Sequence, residues 1–351
     1  MRVLAVTNMY PTSRDPATGT FVEQQVKGLQ KIGVEVDVLF LDRRRRGMGV
    51  YLRLPEMIRS RLQTFQADFV HAMYGGILAD VTTRIVRDRP TVVTFHGSDL
   101  LGENLSGQWR KWIARYGVAS SRKAARRASG VVVVGDALCE TLPREVDPAR
   151  VRVIPCGIDV ARFTPLERER CRQQVGWREG RFHVLFNSNG ADPVKRPQLA
   201  RAAVGELNRP GIDAEIHELH DVANADVPVW LNASDVLLLT SLHEGSPTIV
   251  KEALACNLPV VSLDVGDVRE RIHGIDGCYL ALADPEDLAA KLRLVQSGPR
   301  RVNARPSMEE LSIERIGMRL KQFYDELSAV SRQEGHPVAA DIKDRLGDAT
   351  A

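Results

Sequence analysis

The chain has 351 residues, 44% of them apolar and 26% charged, with a formal net charge of +3. That length exceeds one ordinary core and predicts two domains, while the near-balanced charge and the lack of a nucleic-acid module argue against nucleic acid as partner. No stretch is long enough to span a membrane as a helix. The five cysteines form no Cys-x-x-Cys pair, which points to reduced thiols, no structural zinc and a cytoplasmic home.

Short apolar runs alternate with helix-length segments along the chain. The first strand, Val3–Thr7, gives way to Asn8, Pro11, Ser13 and Asp15, so no secretory signal is read there. Gly19-Thr20-Phe21 then opens a helix over Thr20–Lys31. No Gly-x-Gly-x-x-Gly follows strand one, which argues against a dinucleotide oxidoreductase. Further strands are expected at Val34–Phe40, Phe69–His71, Val92–Phe95, Val131–Val134 and Val151–Ile154, with a long helix at Gln108–Ala128. His96-Gly97-Ser98-Asp99 sits at a strand's carboxyl end, where open α/β sheets place their sites; Asp99 also fits a helix cap. The stretch Asp159–Trp177 carries Pro165, a Glu-Arg-Glu-Arg run and no strand, and is read as the linker.

The strand series restarts with His183–Asn187, Ala214–Leu219, Val236–Thr240, Val260–Leu263 and Cys278–Leu280, and with helices at Gln198–Asn208 and Glu286–Val295. Such alternation means parallel sheets covered on both faces. The fold class is therefore α/β, with two Rossmann-like doubly wound domains facing a cleft: residues 1–162 and residues 163–311. An amphipathic helix follows, placing Ile313, Ile316, Leu320, Phe323 and Tyr324 on one side. Residues 331–351 are polar and aperiodic, and are expected to fray.

The most telling segment is Glu244-Gly245-Ser246-Pro247-Thr248-Ile249-Val250-Lys251-Glu252-Ala253, between two apolar strands. Gly245 and Ser246 allow close backbone approach to a ligand. Pro247 suits the first helical position, and the N–H groups of Thr248 and Ile249 then form an anion site. Glu244 and Glu252 are acceptors for paired hydroxyls on either side of it. The parts suit a sugar–diphosphate–ribose molecule.

This Glu-x7-Glu pattern with an internal Gly-x-Pro resembles the signature of the retaining family 4 glycosyltransferases, also described as glycosyl transferases group 1, which have the GT-B fold. The similarity covers nearly all of residues 1–327. It implies that Gly19 lies against the donor diphosphate, although a simple turn glycine explains it as well. It also implies that His96 faces the transferred sugar, with Gly97, Ser98 and Asp99 on the acceptor side. Lys195 matches the lysine that neutralises the leaving diphosphate. The family arginine about five residues earlier is missing: Gly190 stands there, between Asn189 and Ala191. Arg196 is the substitute suggested, with a solvated surface charge as the alternative. The run Ile154–Asp159, with Phe163 and Pro165, is read as structural. The final helix, about 312–327, is implied to return to the first domain.

The implied activity is metal-independent hexosyl transfer from a nucleotide-diphosphate sugar, UDP before GDP, to a glycan or lipid-linked acceptor in cell-surface polysaccharide synthesis. Lys195, Glu244 and His96 are its catalytic group. No cofactor is expected, and no Asp-x-Asp pair of the metal-dependent transferases occurs. A nucleotide-sugar epimerase or hydrolase and a catalytically silent binder remain as alternatives. Two basic stretches of the first domain, Arg43–Arg46 with Arg53, Arg59 and Arg61, and Gln108–Arg127 with Trp109 and Trp112, suit the inner face of a membrane. The tryptophans also read as core and the arginines as solvated.

Overall fold

The computed structural model describes residues 1–102, 108–188, 193–209 and 211–333. The chain divides into two compact units, Met1–Gly157 with Ile313–Ala351, and Ile158–Ser312. All eleven predicted strands are present, with small shifts at their ends. The two doubly wound parallel sheets expected from the alternating runs are both observed.

The first unit carries β1 (Arg2–Thr7), α1 (Thr20–Lys31), β2 (Glu35–Phe40), α2 (Arg43–Arg46) and α3 (Val50–Thr64). It continues through β3 (Phe69–Ala72), α4 (Gly76–Ile85), β4 (Thr91–Phe95), α5 (Ser98–Leu101), α6 (Gln108–Arg127), β5 (Gly130–Val133) and β6 (Val151–Val153). Its six-stranded sheet has the order β2-β1-β3-β4-β5-β6, and every pairing is parallel. β3, β4 and β5 are buried along their whole length, which is why they read as continuous apolar runs rather than alternating ones.

The second unit carries α7 (Arg168–Val175), β7 (Phe182–Phe186), α8 (Pro197–Asn208), β8 (Ala214–Glu218), α9 (Val227–Ala233), β9 (Val236–Leu239) and α10 (Thr248–Ala255). It closes with β10 (Val260–Leu263), α11 (Val268–Ile272), β11 (Tyr279–Ala281), α12 (Pro285–Ser297) and α13 (Arg305–Met308). The sheet order is β11-β10-β9-β7-β8. Val184, Phe186, Val236, Leu238 and Val261 pack into one core with residues of α8 and α12.

The stretch 159–177, read above as a linker, instead folds with the second unit. Its charged run is a helix start: the Glu167 carboxylate accepts the N–H groups of Glu169 and Arg170. α7 then buries Cys171 and Arg172, and the Arg172 guanidinium pairs with Asp235 at 2.7 Å.

The chain ends its described part with α14 (Ile313–Gln333), which belongs to the first unit. α14 lies on α1, and two glycines set the distance. A Cβ on Gly28 would stand 2.2 Å from the Ile313 carbonyl oxygen, and one on Gly317 would stand 2.6 Å from the Gly28 oxygen. Further along α14, the buried Tyr324 hydroxyl meets His71 Nδ1 at 2.6 Å, and His71 Nε2 meets Thr94 Oγ1 at 2.7 Å. Complete burial pushes the His71 imidazole down to about 3. The predicted tail lies outside the described residues from 334 onward.

Candidate active site

A doubly wound sheet binds its ligand at the carboxyl ends of the two strands where the winding direction reverses. In the second unit those strands are β7 and β9. The chain leaving β7 leads to Lys195, and the chain leaving β9 leads to Glu244 and α10. These loops are laced together. Leu242 N–H donates to the Val194 carbonyl at 2.8 Å, and Thr240 Oγ1 donates to the Lys195 carbonyl at 2.7 Å. Across them the Lys195 ammonium donates to Glu244 Oε1 at 2.6 Å, and Ser241 Oγ donates to the same oxygen at 2.7 Å. Both side chains of the ion pair keep some contact with solvent, 13% for Lys195 and 16% for Glu244.

α10 begins at Thr248, so the N–H groups of Thr248 and Ile249 have no carbonyl of their own helix to meet. Pro247 is the cap residue rather than the first helical residue, with φ −65° and ψ 113°. An extended ψ there turns the chain into the helix, and its missing N–H leaves no donor to satisfy. Thr248 is half-buried, Ile249 is buried, and Glu252 is buried one turn further on.

The Ser246 hydroxyl is engaged within the protein: it donates to Asp267 Oδ2 at 2.7 Å and accepts from the Lys251 ammonium at 2.7 Å. Lys251 is fully buried, and Asp267 also holds Arg271 at 3.0 Å. Behind the loop, Gly266 has φ 57°, and a Cβ there would come 2.6 Å from the Gly245 oxygen. A charged network therefore supports the Gly245–Pro247 loop through the Ser246 side chain, while Glu244 is held separately by Lys195 and Ser241. Lys251 and Asp267 were missed by the sequence reading. No local signal marks Lys251, which stands beside Glu252 in α10 and reads as an ordinary helix charge.

Arg196 takes a left-handed conformation, φ 54°, at the cap of α8, and its carbonyl accepts from Thr240 Oγ1 at 3.2 Å. Residues 189–192, where the family arginine would be sought, lie outside the described residues.

In the first unit the winding reverses between β1 and β3, and β4 is the next strand. His96 follows β4, its ring 4.4 Å from Phe21 and stacked at 5.9 Å on Tyr74. His96 Nε2 meets the Met73 carbonyl at 3.1 Å, and Nδ1 meets Cys156 Sγ at 3.5 Å. The Nε2–H tautomer satisfies both contacts. Gly97 adopts φ 125°, a conformation open to glycine. The Ser98 hydroxyl meets Tyr74 OH at 2.8 Å.

Asp99, expected on the acceptor side, is 7% exposed and is one of the residues lining the cavity beside its loop, while its carboxylate is bonded to backbone. Its carboxylate accepts N–H groups from Gly75 at 3.0 Å, His96 at 3.0 Å and Gly97 at 2.9 Å. Burial pushes this carboxyl up to about 6 against the opposing pull of those bonds. Asp99 is the clamp that shapes the His96 loop. Beside it lies a cavity of about 260 Å³, lined by Asn8, Arg43, Tyr51, Tyr74, Ser98 and Ile113 among others. Gly19, at the cap of α1 with φ 75°, is required by packing: a Cβ would fall 2.3 Å from the Met9 carbonyl carbon.

On α6 Trp112 is 58% exposed and stacks on Tyr116 at 5.8 Å, so Trp112 is not a core residue. The Trp109 side chain lies outside the described residues. No described helix is long and apolar enough to cross a membrane.

Two doubly wound parallel sheets, the second with a lysine–glutamate pair beside a helix start at its switch point, define an α/β fold of the GT-B class. Residues 18–162 match the profile of Glycosyltransferase Family 4, and residues 178–297 match that of Glycosyl transferases group 1. The chain belongs to the family 4, group 1 glycosyltransferases. It is 27% identical to the Bacillus subtilis protein named as teichuronic acid biosynthesis glycosyltransferase TuaC, over 76% of this chain and 82% of that one. Its fold is similar to that of a sucrose-phosphate synthase from Thermosynechococcus elongatus, with a TM-score of 0.76 at 17% identity over 94% of this chain and 100% of the other. It is similar also to Anabaena Alr3699/HepE, solved in complex with UDP-glucose, with a TM-score of 0.66 at 18% identity over 94% and 100% of the two chains.

Proposed function

We propose that this glycosyltransferase moves a hexose from a nucleotide-diphosphate sugar, UDP before GDP, to a hydroxyl of a glycan or lipid-linked acceptor, with retention at the anomeric carbon and without a metal. The observation that carries the reading is the Lys195–Glu244 pair at the start of α10. A diphosphate docks on the N–H groups of Thr248 and Ile249, and Lys195 shifts its charge from Glu244 to the departing phosphate. Glu244, still held by Ser241, then orients the sugar hydroxyls, and Glu252 takes the ribose hydroxyls. The sugar–phosphate bond breaks as the acceptor oxygen bonds to the anomeric carbon on the same face. The acceptor's proton passes to the leaving phosphate oxygen beside it.

In the first unit His96 faces the transferred sugar and Gly97 and Ser98 the acceptor, with Asp99 holding the backbone of their loop. UDP is favoured because Anabaena Alr3699/HepE binds UDP-glucose. The role in cell-surface polysaccharide synthesis follows the name of the Bacillus subtilis relative, and its cytoplasmic, membrane-peripheral setting follows the basic α2 and the exposed Trp112–Tyr116 pair on α6.

The test is a melting-shift screen over nucleotide sugars, followed by turnover with a glycolipid panel in chelator. Metal-free transfer with an unchanged anomeric configuration is expected. Epimerisation or hydrolysis of the donor alone, or stabilisation without any transfer, would replace this reading with one of the two alternatives.

A further inference from the structure

Three potential metal ligands meet in the second unit away from the donor loop. His183 is near the start of β7, and Glu215 and His217 lie on the neighbouring strand β8, where His183 is register partner of Glu215. Side chains alternate across a sheet, so all three project from one face. That face is opposite to the one holding Val184 and Phe186. Their donor atoms lie within 4.8 Å of one another.

We propose that His183, Glu215 and His217 bind a divalent transition metal ion of the zinc class. His183 Nε2–H donates to the Arg178 carbonyl at 2.8 Å, which leaves Nδ1 with its lone pair facing His217 Nε2 at 2.8 Å. A metal-bound histidine is oriented in this way, by a carbonyl on its second nitrogen. The His217 ring is fixed by stacking on Trp177 at 3.6 Å, and Trp230 stands edge-on to Trp177 at 5.4 Å. Two nitrogens on one tetrahedral zinc stand about 3.3 Å apart, given bonds of ~2.0–2.1 Å. The present spacing reaches that value with a small ring rotation.

Binding needs His217 to carry its hydrogen on Nδ1, so that Nε2 offers a lone pair. Glu215 Oε2 accepts from Arg181 at 3.0 Å, and Oε1 supplies the third ligand. Arg181 keeps Asp213 as a second partner at 3.0 Å. The remaining position is open to water. The ion would tie edge strand β8 to β7 and to the Trp177 turn. Its place near the start of β7, remote from the carboxyl-end loops, gives it no part in sugar transfer.

The experiment titrates the full-length protein, freed of metal by chelation, with zinc(II) and with cobalt(II). Expected are a saturable rise in melting temperature at one equivalent and cobalt absorption bands of a low-coordinate site with nitrogen ligands. His217→Gln and the more exposed Glu215→Gln should each weaken zinc binding by more than about tenfold, while His220→Gln at an exposed position should not. Absence of saturable binding, or wild-type affinity in both Glu215→Gln and His217→Gln, would overturn the proposal. Donor binding should be the same with and without zinc, so a failure here leaves the proposed transferase reading standing.

Discussion

The loop after β9 and the loop after β4 both leave the carboxyl ends of strands in parallel sheets, the first at the switch point and the second one strand beyond it, yet they use acidic side chains in opposite ways. Glu244 stays at the surface of its loop, held by Lys195 and Ser241, and can exchange those partners for a ligand. Asp99 accepts three backbone N–H groups. The rigidity the second loop takes from Asp99 is given to the first by a deeper set, Ser246, Lys251 and Asp267. A carboxylate in a site motif can thus serve either the substrate or the backbone that meets it. The number of N–H groups it already accepts distinguishes the two.

The largest effect should fall on the outward-facing loop. Lys195→Ala is expected to lower kcat by on the order of 10²–10³-fold while the melting temperature barely moves. A large melting loss in that variant would erase the contrast. Asp99→Asn should do the reverse, costing about 3 kcal/mol of stability because an amide presents donors to backbone donors. Denaturant unfolding measures that cost, and donor binding in a melting-shift assay should be retained.

Next comes a pH effect confined to the first unit. Burial holds His71 near 3, below its ordinary value of 6.5. The unfolded chain therefore takes the proton first as pH falls, and stability present above 6.5 is lost progressively towards 3. Relative to His71→Gln, the wild type should lose about 2 kcal/mol between neutral pH and pH 5. Asp99 contributes the opposite slope and is common to both proteins. The smallest effect concerns α6: Trp112→Ser with Tyr116→Ser should lower partition onto anionic vesicles by roughly tenfold, with donor binding untouched.

The fold was legible because strands buried on both faces are written as short apolar runs, as in Val236–Leu239 and Val260–Leu263. The helix after Glu244 was legible from its glycine and proline. The use of each polar side chain was not. Lys251 reads as an ordinary helix residue until α10 is seen to be buried all round, and Asp267, joined to it through the Ser246 hydroxyl, lies beyond the next strand. His183 and His217 are adjacent only because β7 pairs with β8 in one register. The charged run at 167–170 looked like a solvated connector because a helix start and a linker share the same composition. Long-range pairing, not local pattern, decides the first two.

The glycine-to-glycine seat of α14 on α1 has a consequence for biosynthesis. Residues 20–31 emerge from the ribosome early, but their mate is translated only after the whole of the second unit. Until then the α1 groove, Gly28 included, stands open to water and to chaperones. A message truncated before codon 313 would yield a first unit unable to close, and proteases should remove it.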